Sequence, residues 1–378
     1  MKPILLAVIL SCSVIISFAQ QREIARCGNE YNTQEIPVAE LLQNNRSSST
    51  NGTVYRIPVV FHVLTNQAGS VSDISNCIIE NQIQILNNCF RKKSGAPNTN
   101  VASADAEIEF YLARKNNSGG AFNGINRVVT PNCDYTTVNS TTQISNIRAA
   151  AGVPTNWPYN KYLNIFVLRT MPNSNRVRGQ AWYSTGSTNF IGVFVHYSYV
   201  GSKNSGCPNL SYLDITGFKA YDLGMTVVHE VGHYLNLLHT FDNCSPGDGC
   251  SDTPPVTGTV GLVPNCTSNN TYGLCSGATS RQWQNYLDYT DDACMDRFTA
   301  CQVLRMRTAL ETVTNYRNLV STANFTATGG DIATSINDIS TSGSDMIKIF
   351  PNPMTERITI VQKNISKSES FRIVDAYG

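Results

Sequence analysis

The stretch TVVHEVGHYLNLLHTF, residues 226–241, holds three of the chain's five histidines, at positions 229, 233 and 239, with Glu230 directly after the first. Residues four apart lie on nearly one face of an α-helix, so His229 and His233 can present two imidazole nitrogens to one tetrahedral metal. Glu230 then stands beside that metal, where a carboxylate can take a proton from water and carry it to a leaving amine. His239 is six residues beyond His233, and at about 100° per residue an unbroken helix would turn it roughly 240° away. The helix must therefore stop between them and the chain must bend back. Asn236 suits the bend, because after glycine asparagine most readily adopts the left-handed conformation that ends a helix. The plain alternative is a buried amphipathic helix with satisfied core histidines. With five histidines in 378 residues, this spacing beside a glutamate makes that the weaker reading.

On these residues the chain resembles the metzincin metalloproteases, whose zinc motif is HExxHxxGxxH followed by a methionine turn, and within them the pappalysin family and its bacterial cytophagalysin branch. The resemblance takes in DTPP at 252–255, NYLDYTDDACMDRFT at 285–299 and QVLRM at 302–306. Upstream it includes IPVVFHVL at 57–64, ADAEIEFYLA at 104–113 and KYLNIFVL at 161–168, covering roughly Cys27 to Arg317. It implies an α+β fold, a metzincin-type zincin domain with a mixed twisted sheet, an active-site helix and a loop-rich lower half stapled by disulfides. It also implies zinc on His229, His233 and His239, with Glu230 as general base and Tyr289 able to stabilise the oxyanion. Two positions depart from the family pattern. Asn236 replaces the glycine of the spacer, and Leu287, nearly equal in volume, replaces the methionine of the turn.

The resemblance implies further roles. Cys244 with Cys275 and Cys266 with Cys294 are the implied disulfides. Asp248, Asp252 and Thr253 offer hard oxygen ligands to a candidate calcium ion. The segment after Leu287 is implied to line the pocket for the residue after the scissile bond. Asp292 as its floor would favour Arg, then Lys, leaving Asp291 solvent-facing or structural.

The amino terminus, MKPILLAVILSCSVIISFAQQ, has the form of a secretory signal cut after Ala19, so residues 1–19 are expected to be removed. An acylated Cys12 is the minor alternative. A net charge of +1 gives no electrostatic case for nucleic acid or an anionic membrane, and no later stretch has the length and apolarity of a transmembrane span. Twelve cysteines in an exported chain point to disulfides. Losing Cys12 leaves an odd number, and Cys27, within Arg26-Cys27-Gly28, is the candidate special thiol in a pro-segment spanning 20–55. In the resembled family a cysteine in such a motif binds the catalytic zinc and blocks it. A disulfide partner is the other reading of Cys27. Cys77 and Cys89 fall on one predicted helix, where twelve residues rise about 18 Å, far beyond the ~7 Å limit between bridged α-carbons. Cys250 and Cys301 are left without an assigned partner.

Alternating apolar residues mark strands at 57–64, 108–113, 162–169 and 191–196, and helical spacing marks 70–90, with Ser70 and Asp73 as candidate caps. The catalytic domain is expected over 56–320, a polar linker over 321–345, and a partial C-terminal sorting domain over 346–378. There IFPNP, then ERITIV and FRIVDAYG, resembles the start of a type IX secretion sorting tail, a β-sandwich that stops partway. This implies the type IX machinery as a partner and a secreted or surface-associated location. The sequence thus reads as a secreted zinc endopeptidase acting on proteins or peptides. One rival takes Glu311 as a third metal ligand in place of His239. The rival of another class is a zinc-stabilised adhesion protein or pseudoenzyme, which would need no Glu230. His62 and His196 lie in strand patterns and read as structural.

Overall fold

The computed structural model describes Cys27 and residues 52–92, 103–130, 140–171, 177–182, 191–208, 219–245, 247–258, 266 and 273–331, with two strand segments at 347–350 and 359–362. In chain order the described elements begin with β1 (Tyr55–Thr65), α1 (Asn76–Phe90), β2 (Ile108–Leu112), β3 (Ile125–Val129) and α2 (Ser140–Ala151). There follow β4 (Leu163–Leu168), β5 (Gly179–Trp182), β6 (Gly192–His196), α3 (Met225–Tyr234), α4 (Ala300–Thr312), α5 (Thr314–Leu319), α6 (Thr322–Ala327), β7 (Ile347–Phe350) and β8 (Thr359–Gln362).

The first six strands form one sheet in the order β2-β1-β4-β6-β5, with β3 continuing β2's edge alongside the second half of β1. All pairings are parallel except β5 with β6, which is antiparallel and leaves β5 at the rim. A sheet covered on both faces needs strands apolar on both sides. In β1, Ile57, Val59, Phe61 and Val63 enter the larger core under α1 and α3, while Val60 and Leu64 enter a second core under α2. His62, fully buried in β1, holds Asn164 of β4 at 2.8 Å and Asn126 of β3 at 3.0 Å. His196 caps the short turn after β6 through Ser198. Both histidines are structural in place.

Three details differ from expectation. The α1 cap is Ser75, whose hydroxyl accepts from Ile78 N. Asp73 is instead drawn to Arg127, and Ser70 bonds Ser72. The strands β3 and β5 escaped the alternation reading because INRVV and GQAW are too short or too polar to stand out. The first residues of the expected linker are folded. Ser321 caps α6, the Phe325 ring meets Tyr111 at 5.5 Å, and the Thr328 carbonyl accepts from Arg114. One aromatic in the eleven small or polar residues 321–331 gave no compositional signal for this.

Cys77 bridges to Cys207, tying α1 to the segment after β6, and Cys89 on the same helix lies buried against Met225. Cys244–Cys275 and Cys266–Cys294 are formed. Of the expected sorting tail, the described residues contain the antiparallel pair β7–β8, and the rest lies outside them. Among the described residues no helix is long and apolar enough to cross a membrane.

Candidate active site

The active-site helix α3 is fixed at both ends. At its start Gly224 takes φ 79°, and the buried Asp292 carboxylate accepts Leu223 N at 3.0 Å and Met225 N at 3.2 Å through Oδ2. This satisfies donors that a helix start otherwise leaves open, and it puts negative charge at the positive end of the helix dipole. At its end Asn236 adopts φ 73°. Asn236 N reaches the His233 carbonyl at 2.8 Å and Leu237 N reaches that of Gly232 at 3.0 Å, the two bonds of a Schellman motif. This turn swings His239 back beside its fellows.

The imidazoles are held by their outer nitrogens. His229 Nδ1 lies 2.7 Å from the Tyr286 carbonyl and His233 Nδ1 lies 2.8 Å from that of Leu237. A carbonyl can only accept, so each Nδ1 carries the proton and each Nε2 keeps a lone pair. The lone pairs of His229 and His233 face each other at 3.0 Å, and His239 Nε2 lies 3.0 Å from His233 Nε2. Facing acceptors repel unless a cation lies among them. Ligands about 2.05 Å from a tetrahedral zinc would stand about 3.3 Å apart, close to what is seen. Burial pushes His233 down to about 4 and His239 well below the usual imidazole range, so both rings are neutral and ready to ligate. The donor set fits zinc.

Around this point stand the expected partners. Cys27 Sγ lies 3.5 Å from Glu230 Oε2 and falls, with the three histidines, into one group of ligand atoms all within 4.8 Å. Cys27 also pairs as a parallel bridge with Gly179 on the rim strand. The Tyr289 hydroxyl donates to the Cys27 carbonyl at 3.0 Å, and its ring stands 5.6 Å from His229 and 5.0 Å from His239. Leu287 is fully buried against Gly232, as a floor to the helix and not a wall open to substrate. Glu311 accepts from Tyr55 at 2.7 Å in α4 and takes no part in the histidine group.

Two of the three candidate calcium ligands stay together and one turns away. Asp248 Oδ1 accepts from Thr253 Oγ1 at 2.6 Å and from Cys250 N at 3.0 Å, while Asp252 Oδ2 turns to Cys301 N at the start of α4. Burial raises the Asp248 carboxyl to about 6.

Two contributions were missed in the sequence. Gly179 packs so tightly on Glu230 that a Cβ there would lie 2.6 Å from Glu230 Cγ. Asp288 forms a fully buried two-pronged pair with Arg281, at 2.9 and 2.8 Å, and also takes Thr240 Oγ1 and Tyr289 N. It thereby braces the residues next to His239 and at Tyr289. Its position inside NYLDYTDD was a usable hint, whereas nothing local marked Gly179.

Comparison with known proteins agrees with this geometry. The sequence model of the peptidase M43 family, described as pregnancy-associated plasma protein-A, matches residues 148–311. Mature mirolysin of Tannerella forsythia, solved in complex with a cleaved peptide, is 31% identical, with a TM-score of 0.59 over 73% of this chain and 98% of that one. A promirolysin variant from the same organism is 30% identical, with a TM-score of 0.62 over 80% of this chain and 99% of that one. Extracellular metalloprotease 1 of Coccidioides posadasii is 36% identical over 151 residues, 38% of this chain. The matched stretch spans about half of that fungal relative, 48%.

Proposed function

The chain belongs to the peptidase M43 metalloprotease family, and on that premise we propose that it is an exported zinc endopeptidase, kept latent by Cys27, that cleaves proteins or peptides. The observation carrying this reading is the convergence of three histidine Nε2 atoms, two of them left unprotonated by the bonds of their Nδ1 atoms, with a glutamate carboxylate beside the group. His229, His233 and His239 would hold the metal. Zinc in such a site acts as a Lewis acid toward the scissile carbonyl and acidifies the attacking water. Glu230, fully buried and adjacent, receives the proton of that water and returns it to the leaving amine. Tyr289, whose hydroxyl already donates to a peptide carbonyl, that of Cys27, donates to the carbonyl oxygen as negative charge builds on it. The rim strand β5 offers main-chain groups to an extended peptide, as Cys27 uses them at Gly179.

In the precursor Cys27, as a thiolate, would be the fourth ligand and would close the position that catalysis needs. A closed four-ligand site has no place for the attacking water. Asp292 supplies the negative charge behind a preference for Arg or Lys after the cut. The leader and the IFPNP tail together support export by a type IX machinery.

Casein digestion with and without a chelator, on the parent protein and on Glu230→Ala, tests the assignment. The parent should lose activity to the chelator, and Glu230→Ala should be inactive while holding about one zinc per chain. An active Glu230→Ala enzyme, or one that loses zinc together with activity, would overturn the roles given.

A further inference from the structure

Away from the histidine group, a second thiol pair comes together. Cys250, buried in the loop after the third histidine, and Cys301, the second residue of α4, have their sulfurs within 4.8 Å, in one group with an Asp252 carboxylate oxygen. The loop is pressed onto α4 there. Asp252 Oδ2 accepts Cys301 N at 2.9 Å, and the Cys301 thiol points to the Gly249 carbonyl at 3.8 Å. Gly249, at φ 75°, packs so close to Arg305 that a Cβ would lie 2.2 Å from the guanidinium. The same Arg305 donates from Nε to the Asn236 carbonyl at 2.6 Å and reaches the Asp248 carbonyl at 3.4 Å. One side chain thus links this loop to the turn that delivers His239.

We propose that Cys250 and Cys301 close a fourth disulfide in the exported protein, a clamp that fixes the loop carrying Asp248 to Thr253 against α4 and steadies the His239 turn. Three bridges are already formed among the described residues, so the fold is adapted to an oxidising compartment. Of the other described thiols, Cys27 lies in the histidine site and Cys89 faces the sulfur of Met225. The oxidant required is a disulfide, small-molecule or carried by an oxidoreductase. One thiolate attacks it to give a mixed disulfide, and the second displaces the leaving thiol. Two S–H bonds and one S–S bond break, and one S–S bond and two S–H bonds form.

Partial exposure of Cys301 gives the oxidant access, while burial of Cys250 shelters the product. A metal held by the two sulfurs and Asp252 is the competing use of the group. The sulfur pair is favoured because the Asp252 oxygen is already bonded to the α4 amide.

The test uses the full chain exported from cells. It is denatured, alkylated without reductant, digested and analysed by mass. The expected product is a peptide pair joined through Cys250 and Cys301, lighter by two hydrogens than its separate parts and split by reductant. The C250S/C301S double variant should release zinc to a chelator several-fold faster than the parent. Free alkylation of both thiols in protein whose Cys244–Cys275 bridge is intact would overturn the proposal. So would a link from either to Cys133, or a second equivalent of metal that the double variant loses.

Discussion

Gly179 and Glu230 touch across the site: a methyl group on Gly179 would lie 2.6 Å from the Glu230 Cγ and 2.7 Å from Oε1. The glycine is required for space, since its backbone carries no positive φ. Gly179→Ala therefore has to move the carboxylate or push β5 outward. A misplacement of about 1 Å in a catalytic group costs on the order of 10²-fold in rate. The expected result is a kcat reduced by about that factor, with bound zinc unchanged. A Gly179→Ala enzyme with the parent's kcat would show that the contact relaxes without reaching the carboxylate.

The proposed latency rests on one side chain. Cys27 brings its sulfur to the histidine group and its carbonyl to Tyr289, so the same residue would close the proposed metal position and occupy the proposed oxyanion donor. A Cys27→Ala precursor keeps the second contact and loses the first. It should process itself faster than the parent precursor, with the cut falling between Gln43 and Arg56. Equal rates of self-processing in the two precursors would remove Cys27 from the role of latch.

The Asn236 turn holds a correctable cost. Its backbone is left-handed, and both polar atoms of its buried side chain lack a hydrogen-bond partner. Replacing it with glycine relieves about 1 kcal/mol of backbone strain and removes orphaned groups worth about 1–3 kcal/mol. Against this, glycine loosens the unfolded chain by about 0.5–1 kcal/mol. Asn236→Gly should therefore be more stable by about 1–3 kcal/mol in denaturant titration, with activity retained. A loss of stability would mean that the packing of the amide outweighs the cost of its unpaired polar atoms.

How much of this was legible follows from where each signal resides. The histidine spacing pointed to the histidine cluster and even to the residue at the turn, because helix geometry is local and periodic. The strand β1 was legible because both of its faces are buried. Gly179 was not, since its importance arises from a neighbour 51 positions away that only the fold brings near. Asp292 shows the same limit from the other side. The resemblance set it in a pocket, but its bonds to Leu223 and Met225 amides depend on how the loop returns to the helix start. The buried Arg281–Asp288 pair escaped because the hint in NYLDYTDD reaches only Asp288, and nothing local marks Arg281 as its partner.

His62 gives the fold a pH limit independent of the metal. It is wholly buried among Asn164, Asn126, Trp157 and Phe166, none of them charged, and burial lowers it from 6.5 to about 4. Below pH 6.5 the unfolded chain binds a proton that the folded chain refuses, so stability falls as pH drops. The loss is complete near pH 4, where the folded form also protonates. The shift corresponds to about 3 kcal/mol over that window. Denaturant titration at pH 7.5 and 4.5 should show this decline in the parent and a shallower one in His62→Gln. Parallel declines in the two proteins would assign the acid sensitivity elsewhere.

Asp292 carries the specificity prediction, and its surroundings sharpen the test. The carboxylate is fully buried and bonded to two amides at the start of α3, so it has a structural duty whatever it does to substrate. Those bonds stabilise the charge without cancelling it, and a fixed negative charge one turn from His229 still attracts a guanidinium entering beside it. Asn keeps an acceptor for the amides and removes the charge. If Asp292 reads the substrate, Asp292→Asn should reduce the ratio of kcat/KM for Arg over Leu after the scissile bond by roughly 10- to 100-fold. If it serves only the helix, the variant should melt at a lower temperature while that ratio stays where it was. Measuring both quantities on one preparation separates the two roles, because loss of fold lowers activity toward every peptide alike, whereas loss of the charge lowers it only toward the basic ones.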